Sequence, residues 1–298
     1  MELSSTLQNR KMEGKSKPKI IITGVNGFLG KHLYNSLSKK YNIAPISIRL
    51  NSDWDLIKSE IIDFKPDIFI HCGWSYGNSF YDINENQYDN VKIGIKLMKI
   101  LSNIDNLYFM GVGSFAEYGF NNNIITELDK EMPNNDYGLA KNFFKSISEK
   151  FCHINNFKWT WIRPCYIFGP NDVQTRLIPK VINLCLKNKD IELNSCDSVI
   201  DYLYIKDFTR AINRLISNQE SGIFNICSGN QYEIKNIIET IKHLCGSKSQ
   251  ISFNSSIDRK NFPKYICGNN TKLKSTSWFP KYNLIEGLTE TIKFYDKK

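Results

Sequence analysis

Two tyrosine and lysine pairs in this chain have the spacing that proton transfer at a carbonyl group needs. Residues four apart on a helix share one face, so Tyr137 can lie beside Lys141, and Tyr88 beside Lys92. An ammonium group next to a tyrosine stabilises the phenolate and lowers the pKa of the phenol. The tyrosine then becomes a usable proton donor or acceptor near neutral pH. A chain with 15 tyrosines contains such pairs by chance, so their position must decide between them.

Position favours Tyr137 and Lys141. The pair follows a strand predicted over 107–112, and it opens a helix predicted over 136–155. Ser114 comes shortly after the end of that strand. The strand end therefore supplies a hydroxyl group, and the helix that follows supplies a phenol and an ammonium group.

A glycine turn is the second candidate site. Three glycines spaced three apart follow an apolar run predicted as a strand (Lys19–Thr23) and open a helix. The first permits the tight turn, the second lets backbone approach a pyrophosphate, and the third lets the helix pack closely on the sheet. Free N–H groups at the helix start then attract the anion, which predicts dinucleotide binding, although such trios also occur as plain turns. The expected cofactor contacts are Gly24, Asn26, Gly27, Phe28, Leu29 and Gly30.

The residue after the second predicted strand, 43–48, bears on which nicotinamide cofactor binds. A carboxylate there would bond the ribose 2′-hydroxyl and repel a 2′-phosphate. This chain instead has Arg49, whose guanidinium suits a phosphate by charge and by fork geometry. The sequence therefore favours NADP(H) over NAD(H), with a solvated surface arginine as the alternative. The nearest acid, Asp53, is expected to contact adenine together with Trp54.

Strands and helices that would position these groups alternate along the chain. Apolar β-branched runs recur about every 25 to 30 residues with helix-compatible sequence between them, which indicates an α/β fold with a Rossmann-like, doubly wound parallel sheet. The region near 191–204 reads as a hairpin. The expected sheet strands are 19–23, 43–48, 67–72, 107–112, 159–163 and 222–226, and the principal helices are 54–64, 86–102, 136–155, 176–187, 205–217, 233–244 and 285–295.

The less regular later part predicts a smaller, interleaved C-terminal lobe that binds substrate. We expect residues 1–18 to form a flexible tail. The dinucleotide-binding domain is expected over 19–170 together with about 200–227, and the substrate lobe over about 171–199 together with 228–298.

Composition limits the classes of function. Hydrophobic residues make up 41% and charged residues 23% of the 298, which is ordinary for a globular protein. No apolar run approaches the roughly 20 residues of a membrane span, and the start lacks a secretory signal, so a cytoplasmic enzyme is expected. The net charge of +9 comes without an arginine-rich block, which favours a phosphorylated ligand over nucleic acid. The eight cysteines and four histidines are scattered, so no metal site is expected.

Together these motifs resemble the extended short-chain dehydrogenase/reductase family, in the group of nucleotide-sugar 4-ketoreductases, epimerases and dehydratases. That family combines a TGxxGxxG turn, a Ser or Thr four residues before a Tyr-Gly pair, and a later Tyr-x-x-x-Lys. Ser114 stands four residues before Tyr118 here. The resemblance spans nearly the whole chain and also includes Asn90, Arg163-Pro164, Phe168-Gly169-Pro170, Asp201-Tyr202, Asp207, Asn225-Ile226, Ser228-Gly229, Asn270 to Leu273, Trp278 and Pro280.

The resemblance implies a role for each matched residue. Tyr137 would be the general acid/base, Lys141 would lower its pKa and hold the nicotinamide ribose, and Ser114 would bond the reacting oxygen. Tyr88 and Lys92 would serve structure or dimer packing. Further cofactor contacts are implied for Cys72, Gly73, Trp74 and Pro164, with Cys72 read as packing rather than chemistry. Substrate contacts are implied for Ser114, Tyr166, Arg176 and Arg259, although the two arginines could equally be surface charges.

Departures from the family pattern narrow the implied reaction. Phe115 and Ala116 stand where the 4,6-dehydratases of the family place Asp-Glu. The missing acid after the second strand disfavours a 4-epimerase that keeps NAD tightly bound. The resemblance thus implies a homodimeric NADPH-dependent reductase of a nucleotide-linked 4-keto-6-deoxy sugar, in deoxysugar biosynthesis for surface polysaccharide. An NAD-dependent nucleotide-sugar 4-epimerase is the alternative, and a non-catalytic dinucleotide-binding sensor is a distant one. The nucleotide and the sugar stay open.

Overall fold

Residues 17–75, 85–257 and 263–297 are the part of the chain that the computed structural model describes. The strands in chain order are β1 (Lys19–Thr23), β2 (Asn42–Ile46), β3 (Ile68–His71), β4 (Tyr108–Val112), β5 (Ile124–Ile125), β6 (Lys158–Pro164), β7 (Tyr166–Phe168), β8 (Ile191–Leu193), β9 (Val199–Ile200), β10 (Tyr202–Tyr204), β11 (Gly222–Ile226), β12 (Tyr232–Glu233), β13 (Ile251–Phe253) and β14 (Tyr265–Gly268).

The helices alternate with these strands. They are α1 (Phe28–Leu37), α2 (Trp54–Phe64), α3 (Glu85–Leu101), α4 (Asp136–Ile154), α5 (Leu177–Leu186), α6 (Ile205–Asn218), α7 (Ile234–Leu244), α8 (Thr271–Ser275) and α9 (Leu284–Asp296), with short 3-10 turns at Phe115–Tyr118 and Ser255–Ile257. Within the described ranges, none of the helices is both long enough and apolar enough to cross a membrane.

Six parallel strands form the central sheet in the order β2-β1-β3-β4-β6-β11. This confirms the predicted doubly wound α/β fold and the six predicted sheet strands. Every residue of β3 and β4 is buried, as expected for parallel strands that are covered on both faces. Pro45 lies in the edge strand β2, where the loss of one backbone donor is tolerated.

The two faces of the sheet bury two separate apolar clusters. Successive residues alternate between them, because side chains along a strand point to opposite faces. Ile20 and Ile22 join the cluster that contains Leu33 of α1, whereas Ile21 joins the cluster that contains Phe144 of α4. The sheet is therefore sandwiched between helices on both sides.

The direction in which successive strands are added to the sheet reverses beside β1. The chain passes from β1 to its neighbour β2 on one side, and the later strands β3, β4, β6 and β11 follow on the other side. In open parallel sheets, loops diverge at such a switch point and leave a crevice at the carboxyl ends of the strands, where ligands bind. The ends of β1 and β3 are thus the first place to look for a site.

The predicted hairpin near 191–204 is wrong. β8 pairs with β13, β9 pairs with β14 and β12, and β10 pairs with β7. The segment between β8 and β9 has none of the Asn-Gly or Asp-Gly dipeptides that close tight hairpins. Each strand therefore finds a partner from another part of the chain.

A buried carboxylate on α6 fastens the C-terminal segment to the fold. Asp207 has no exposed surface. It accepts hydrogen bonds from the backbone N–H groups of Lys281 at 3.0 Å and Tyr282 at 2.9 Å, and Arg210 donates to it. These bonds fix the chain just before α9.

Replacing this carboxylate should destabilise the fold. In Asp207→Asn, an amide donor replaces one acceptor oxygen, so either the Tyr282 N–H or the Arg210 guanidinium loses its acceptor, at a cost of about 1 to 3 kcal/mol. Urea unfolding followed by circular dichroism should show a lower midpoint with an unchanged slope. A midpoint equal to that of the wild type would mean that these bonds contribute nothing to stability.

Candidate active site

The glycine turn closes tightly between β1 and α1. Gly27 donates its backbone N–H to the carbonyl oxygen of Gly24 at 3.0 Å, and Gly24 has a φ of 75°. A Cβ atom at Gly30 would lie 2.1 Å from that same oxygen, so no side chain fits there. The turn leads directly into Phe28 and Leu29 at the start of α1, and Asn26 is exposed beside it. A narrow backbone loop that opens a helix fits the pyrophosphate of a dinucleotide.

The loop after β3 lies against this turn. The hydroxyl oxygen of Thr23 accepts the N–H groups of Cys72 at 3.2 Å and Gly73 at 2.9 Å. A Cβ atom at Gly24 would lie 2.6 Å from the Cα of Gly73. Burial raises the pKa of the Cys72 thiol to about 11, so this group stays neutral and packs. The expected contacts at Cys72 and Gly73 therefore adjoin the glycine turn.

Trp74 connects this loop to the lysine of the Tyr137 and Lys141 pair. The Nζ atom of Lys141 lies 3.8 Å from the centroid of the Trp74 ring, within the range of a cation–π interaction. The indole N–H donates to Oε1 of Gln87 on α3 at 2.8 Å. Trp74 therefore occupies one side of the ammonium group and is itself held by a helix.

Tyr137 and Lys141 lie on the inner face of α4, as their spacing predicts. Both are buried, and the Nζ atom of Lys141 is 5.9 Å from the centroid of the Tyr137 ring. The ammonium group also donates to the carbonyl oxygen of Val112, at the end of β4, at 2.6 Å. The pair is thus anchored at the carboxyl ends of the strands, where the glycine turn also lies.

Burial sets the ionisation of Lys141. Loss of solvent lowers the pKa of this lysine to about 7, while Cys72 and the carboxylate of Glu117 act to raise it. The imidazole of His71 on β3 faces the same region, and burial together with Lys141 lowers its pKa to about 3. His71 is therefore neutral, and Lys141 changes its charge within the physiological range.

Ser114 is placed by the short 3-10 turn that follows β4. Its hydroxyl oxygen accepts the N–H of Ala116 at 3.1 Å, and its own N–H donates to Oε1 of Glu117 at 2.7 Å. The turn packs on the start of α4, since a Cβ atom at Gly138 would lie 2.3 Å from the carbonyl oxygen of Ala116. Ser114 is therefore held on the side of α4 that carries Tyr137.

The residues predicted to bind the adenosine end lie beyond β2. Arg49 is exposed, and its Nη1 donates to the carbonyl oxygen of Ile48 at 3.1 Å. Asp53 is the N-cap of α2, and its carboxylate accepts two backbone N–H groups. The Trp54 ring lies 4.9 Å from Nζ of Lys96. Asp53 and Trp54 thus have structural contacts of their own at the start of α2.

Pro164, which was predicted to contact the cofactor, ends β6. Of the predicted substrate residues, Tyr166 has its ring 5.5 Å from that of Tyr202, and Nη1 of Arg176 lies 3.3 Å from Oδ1 of Asp172. Burial raises the pKa of Asp172 to about 6, and Arg176 opposes this shift. Arg259 lies outside the described residues.

Sequence reasoning missed a set of buried charges behind Ser114. Arg163 belongs to a matched motif and Glu117 precedes Tyr118 in the sequence, but no role is predicted for either residue. In the structure they form an ion pair without any exposed surface. The partner of Arg163 on its other side, Glu131, stands between Lys130 and Met132 in a loop without a recognisable motif. Only the folded chain brings these groups together.

Comparison with known proteins is consistent with this arrangement. A model described as the NAD dependent epimerase/dehydratase family matches residues 20–227. CDP-abequose synthase from Salmonella typhimurium is 23% identical, over 93% of this chain and 98% of its own length. GDP-6-deoxy-D-talose 4-dehydrogenase from Aggregatibacter actinomycetemcomitans is 26% identical, over 86% and 90%. The solved structure of RMD from Pseudomonas aeruginosa complexed with NADPH has a TM-score of 0.81 at 21% identity, covering 94% and 99% of the two chains.

Proposed function

Because the chain belongs to the NAD dependent epimerase/dehydratase family, we propose that it is an NADPH-dependent reductase of a nucleotide-linked 4-keto-6-deoxy sugar. The observation that carries this proposal is the contact of Lys141 with Trp74 and Val112, because it sets the tyrosine and lysine pair beside the glycine turn. The relatives named above act on sugars linked to CDP or GDP, which supports a nucleotide sugar as the substrate.

Each residue of the site has one task in the proposed reduction. When bound, the reduced nicotinamide supplies a hydride. The Tyr137 hydroxyl gives its proton to the oxygen of the C4 carbonyl, and the Ser114 hydroxyl donates a hydrogen bond to that oxygen. Donors aimed where negative charge develops stabilise the transition state more than the ketone. The Lys141 ammonium stabilises the phenolate that is left on Tyr137.

The surroundings of Ser114 argue against dehydration. Elimination of water needs an acid and a base beside the hydroxyl residue, and this chain has Phe115 and Ala116 there. The nearest carboxylate, that of Glu117, is already bound by the Ser114 N–H, by the indole of Trp161 and by Arg163. It is not available to remove a proton from a substrate.

A second candidate is an NAD-dependent nucleotide-sugar 4-epimerase. The family name includes epimerases, and the same three side chains could remove a hydride and return it to the other face. The two activities differ in cofactor use, because a reductase consumes NADPH in proportion to product whereas an epimerase consumes none.

Reductase activity should appear when purified protein is given NADPH and 4-keto-6-deoxy sugars linked to CDP, GDP, dTDP or UDP. We expect oxidation of one NADPH for each reduced sugar, followed by absorbance and mass spectrometry. Tyr137→Phe should lower turnover by about 100-fold or more and keep NADPH affinity within about twofold. Tyr88→Phe, in the other tyrosine and lysine pair, is the matched control and should retain activity. Interconversion of C4 epimers without net NADPH loss would support the second candidate instead.

The cofactor preference is proposed to depend on Arg49. Its side chain is exposed three residues beyond β2, and a guanidinium suits a ribose 2′-phosphate by charge and by fork geometry. NADPH should bind at least about tenfold more tightly than NADH, which corresponds to roughly 1.4 kcal/mol. Arg49→Met should remove this difference by weakening NADPH alone, and Arg214→Met, at an exposed arginine of α6, should not. Equal titration curves for the two cofactors with the wild-type protein would overturn the assignment.

We also propose a homodimer formed through α3 and α4. Their outward faces expose 44% of Tyr88, 49% of Leu139 and 58% of Phe143, and the last two lie one helical turn apart. An apolar strip of this kind marks a contact surface. Light scattering should report about twice the chain mass of 34.6 kDa. Phe143→Lys should yield monomers, whereas Leu56→Lys on α2 should not, and a monomeric wild type would contradict the proposal.

A further inference from the structure

Four charged side chains of alternating sign form a series of ion pairs behind the active site. In order they are Lys145 on α4, Glu131 in the segment before α4, Arg163 on β6 and Glu117 in the 3-10 turn. We call these four residues the charge chain. Two positive and two negative groups leave it neutral overall.

The inner end of the charge chain holds the backbone of Ser114. Oε1 of Glu117 accepts the Ser114 N–H at 2.7 Å, and both carboxylate oxygens accept the indole N–H of Trp161 at 3.0 Å. A Cβ atom at Gly113 would lie 2.2 Å from both Oε1 of Glu117 and Nε1 of Trp161. The carboxylate is therefore pressed against the main chain one residue before the catalytic serine.

The outer end reaches the helix of the catalytic pair. Nε of Arg163 donates to Glu117 at 2.7 Å, and Nη2 of the same guanidinium donates to Glu131. Nζ of Lys145 donates to the two oxygens of Glu131 at 2.5 and 2.6 Å. Lys145 lies one turn beyond Lys141 on α4 and is likewise buried. The charge chain thus links α4, β6 and the turn that carries Ser114.

Resting on the function proposed above, we propose that the charge chain is a positioning device of the active site. It fixes Ser114 relative to α4, and it places the negative charge of Glu117 where it favours the charged form of Lys141. Its members touch no substrate, so they are positioning residues rather than catalytic ones. A buried charge too far from Lys141 to act on it, such as Asp207, would affect stability without changing the ionisation of the lysine.

The charges around Lys141 support this assignment. His71 and Cys72 face it from β3 and the loop after it, Tyr137 faces it from its own helix, and Glu117 faces it from the 3-10 turn. Cys72 and His71 are neutral, since burial raises the pKa of the first to about 11 and lowers that of the second to about 3. Burial raises the pKa of Glu117, whereas Arg163, the Ser114 N–H and the Trp161 indole oppose this rise. The buried ion pair with Arg163 holds the carboxylate as the anion of this set.

Removal of single charges tests the proposal through the sign of a pH shift. Lys141 must be charged to stabilise the phenolate, so turnover should fall as the pH rises through the pKa of this lysine. Glu117→Gln removes an anion, so the fall should begin roughly one pH unit lower, and turnover at the optimum should drop about tenfold. Glu131→Gln should shift the fall in the same direction by less, and Lys145→Met should shift it in the opposite direction.

A readout without substrate separates this inference from the proposed function. The NMR signal of the side-chain carbon that bears the Lys141 ammonium, assigned by its loss in Lys141→Arg, should titrate at lower pH in Glu117→Gln than in the wild type. Asp207→Asn removes a buried carboxylate on α6 and is the matched control, which should lose stability without moving this titration. If the wild-type protein reduces no sugar, the proposed function fails while the titration still tests the charge chain.

The three variants together leave the proposal open to refutation. If Glu117→Gln does not fold, the opposite shifts expected of Glu131→Gln and Lys145→Met still test it. Shifts of the same sign in those two variants, no shift in either, or an equal shift in Asp207→Asn would show that the four charges serve stability alone.

Discussion

The burial of the Lys141 ammonium is the constraint on which the rest of the site depends. An ammonium group shielded from water loses its solvation, and the pKa of Lys141 falls to about 7 as a result. The fold compensates with three groups of different kinds, which are the carbonyl oxygen of Val112, the ring of Trp74 and the carboxylate of Glu117. Trp74 follows β3, whereas Val112 ends β4 and Glu117 lies in the turn after it. Groups at the ends of two neighbouring strands therefore act on the charge of one side chain of α4, that of Lys141.

The strand order explains why these groups meet, and only part of it was predictable. The six apolar runs of the sheet are local signals, so the strands were found from the sequence. Their order was not, because nothing local states that β1 lies between β2 and β3. The same limit accounts for the error at 191–204, where the strands were recognised but their partners lie elsewhere in the chain. Pairing depends on which apolar faces remain to be covered, and this is a property of the whole fold.

The candidate site shows the same division between local and distant signals. The inner face shared by Tyr137 and Lys141 follows from their spacing on one helix, and the glycine turn follows from its place after a strand. The contact of Trp74 with Lys141 joins two elements far apart in sequence. The charge chain also joins positions that are separated in sequence, since Glu131 stands in a loop and Arg163 in a strand 32 residues later. Charged residues in a sequence look solvated until the fold buries them.

The other three members of the charge chain can be explained by the burial of one carboxylate, that of Glu117. An apolar side chain in place of Glu117 could neither accept the Ser114 N–H nor favour the charged form of Lys141. A lone buried anion is costly, so it requires Arg163, whose guanidinium has a second donor group that in turn requires Glu131. That carboxylate pairs with Lys145, and the series ends there because Glu131 and Lys145 are 22% and 9% exposed whereas the inner pair is not exposed at all. Each buried charge thus requires a partner, the series meets water at Glu131, and its last member, Lys145, lies on the helix that carries Tyr137.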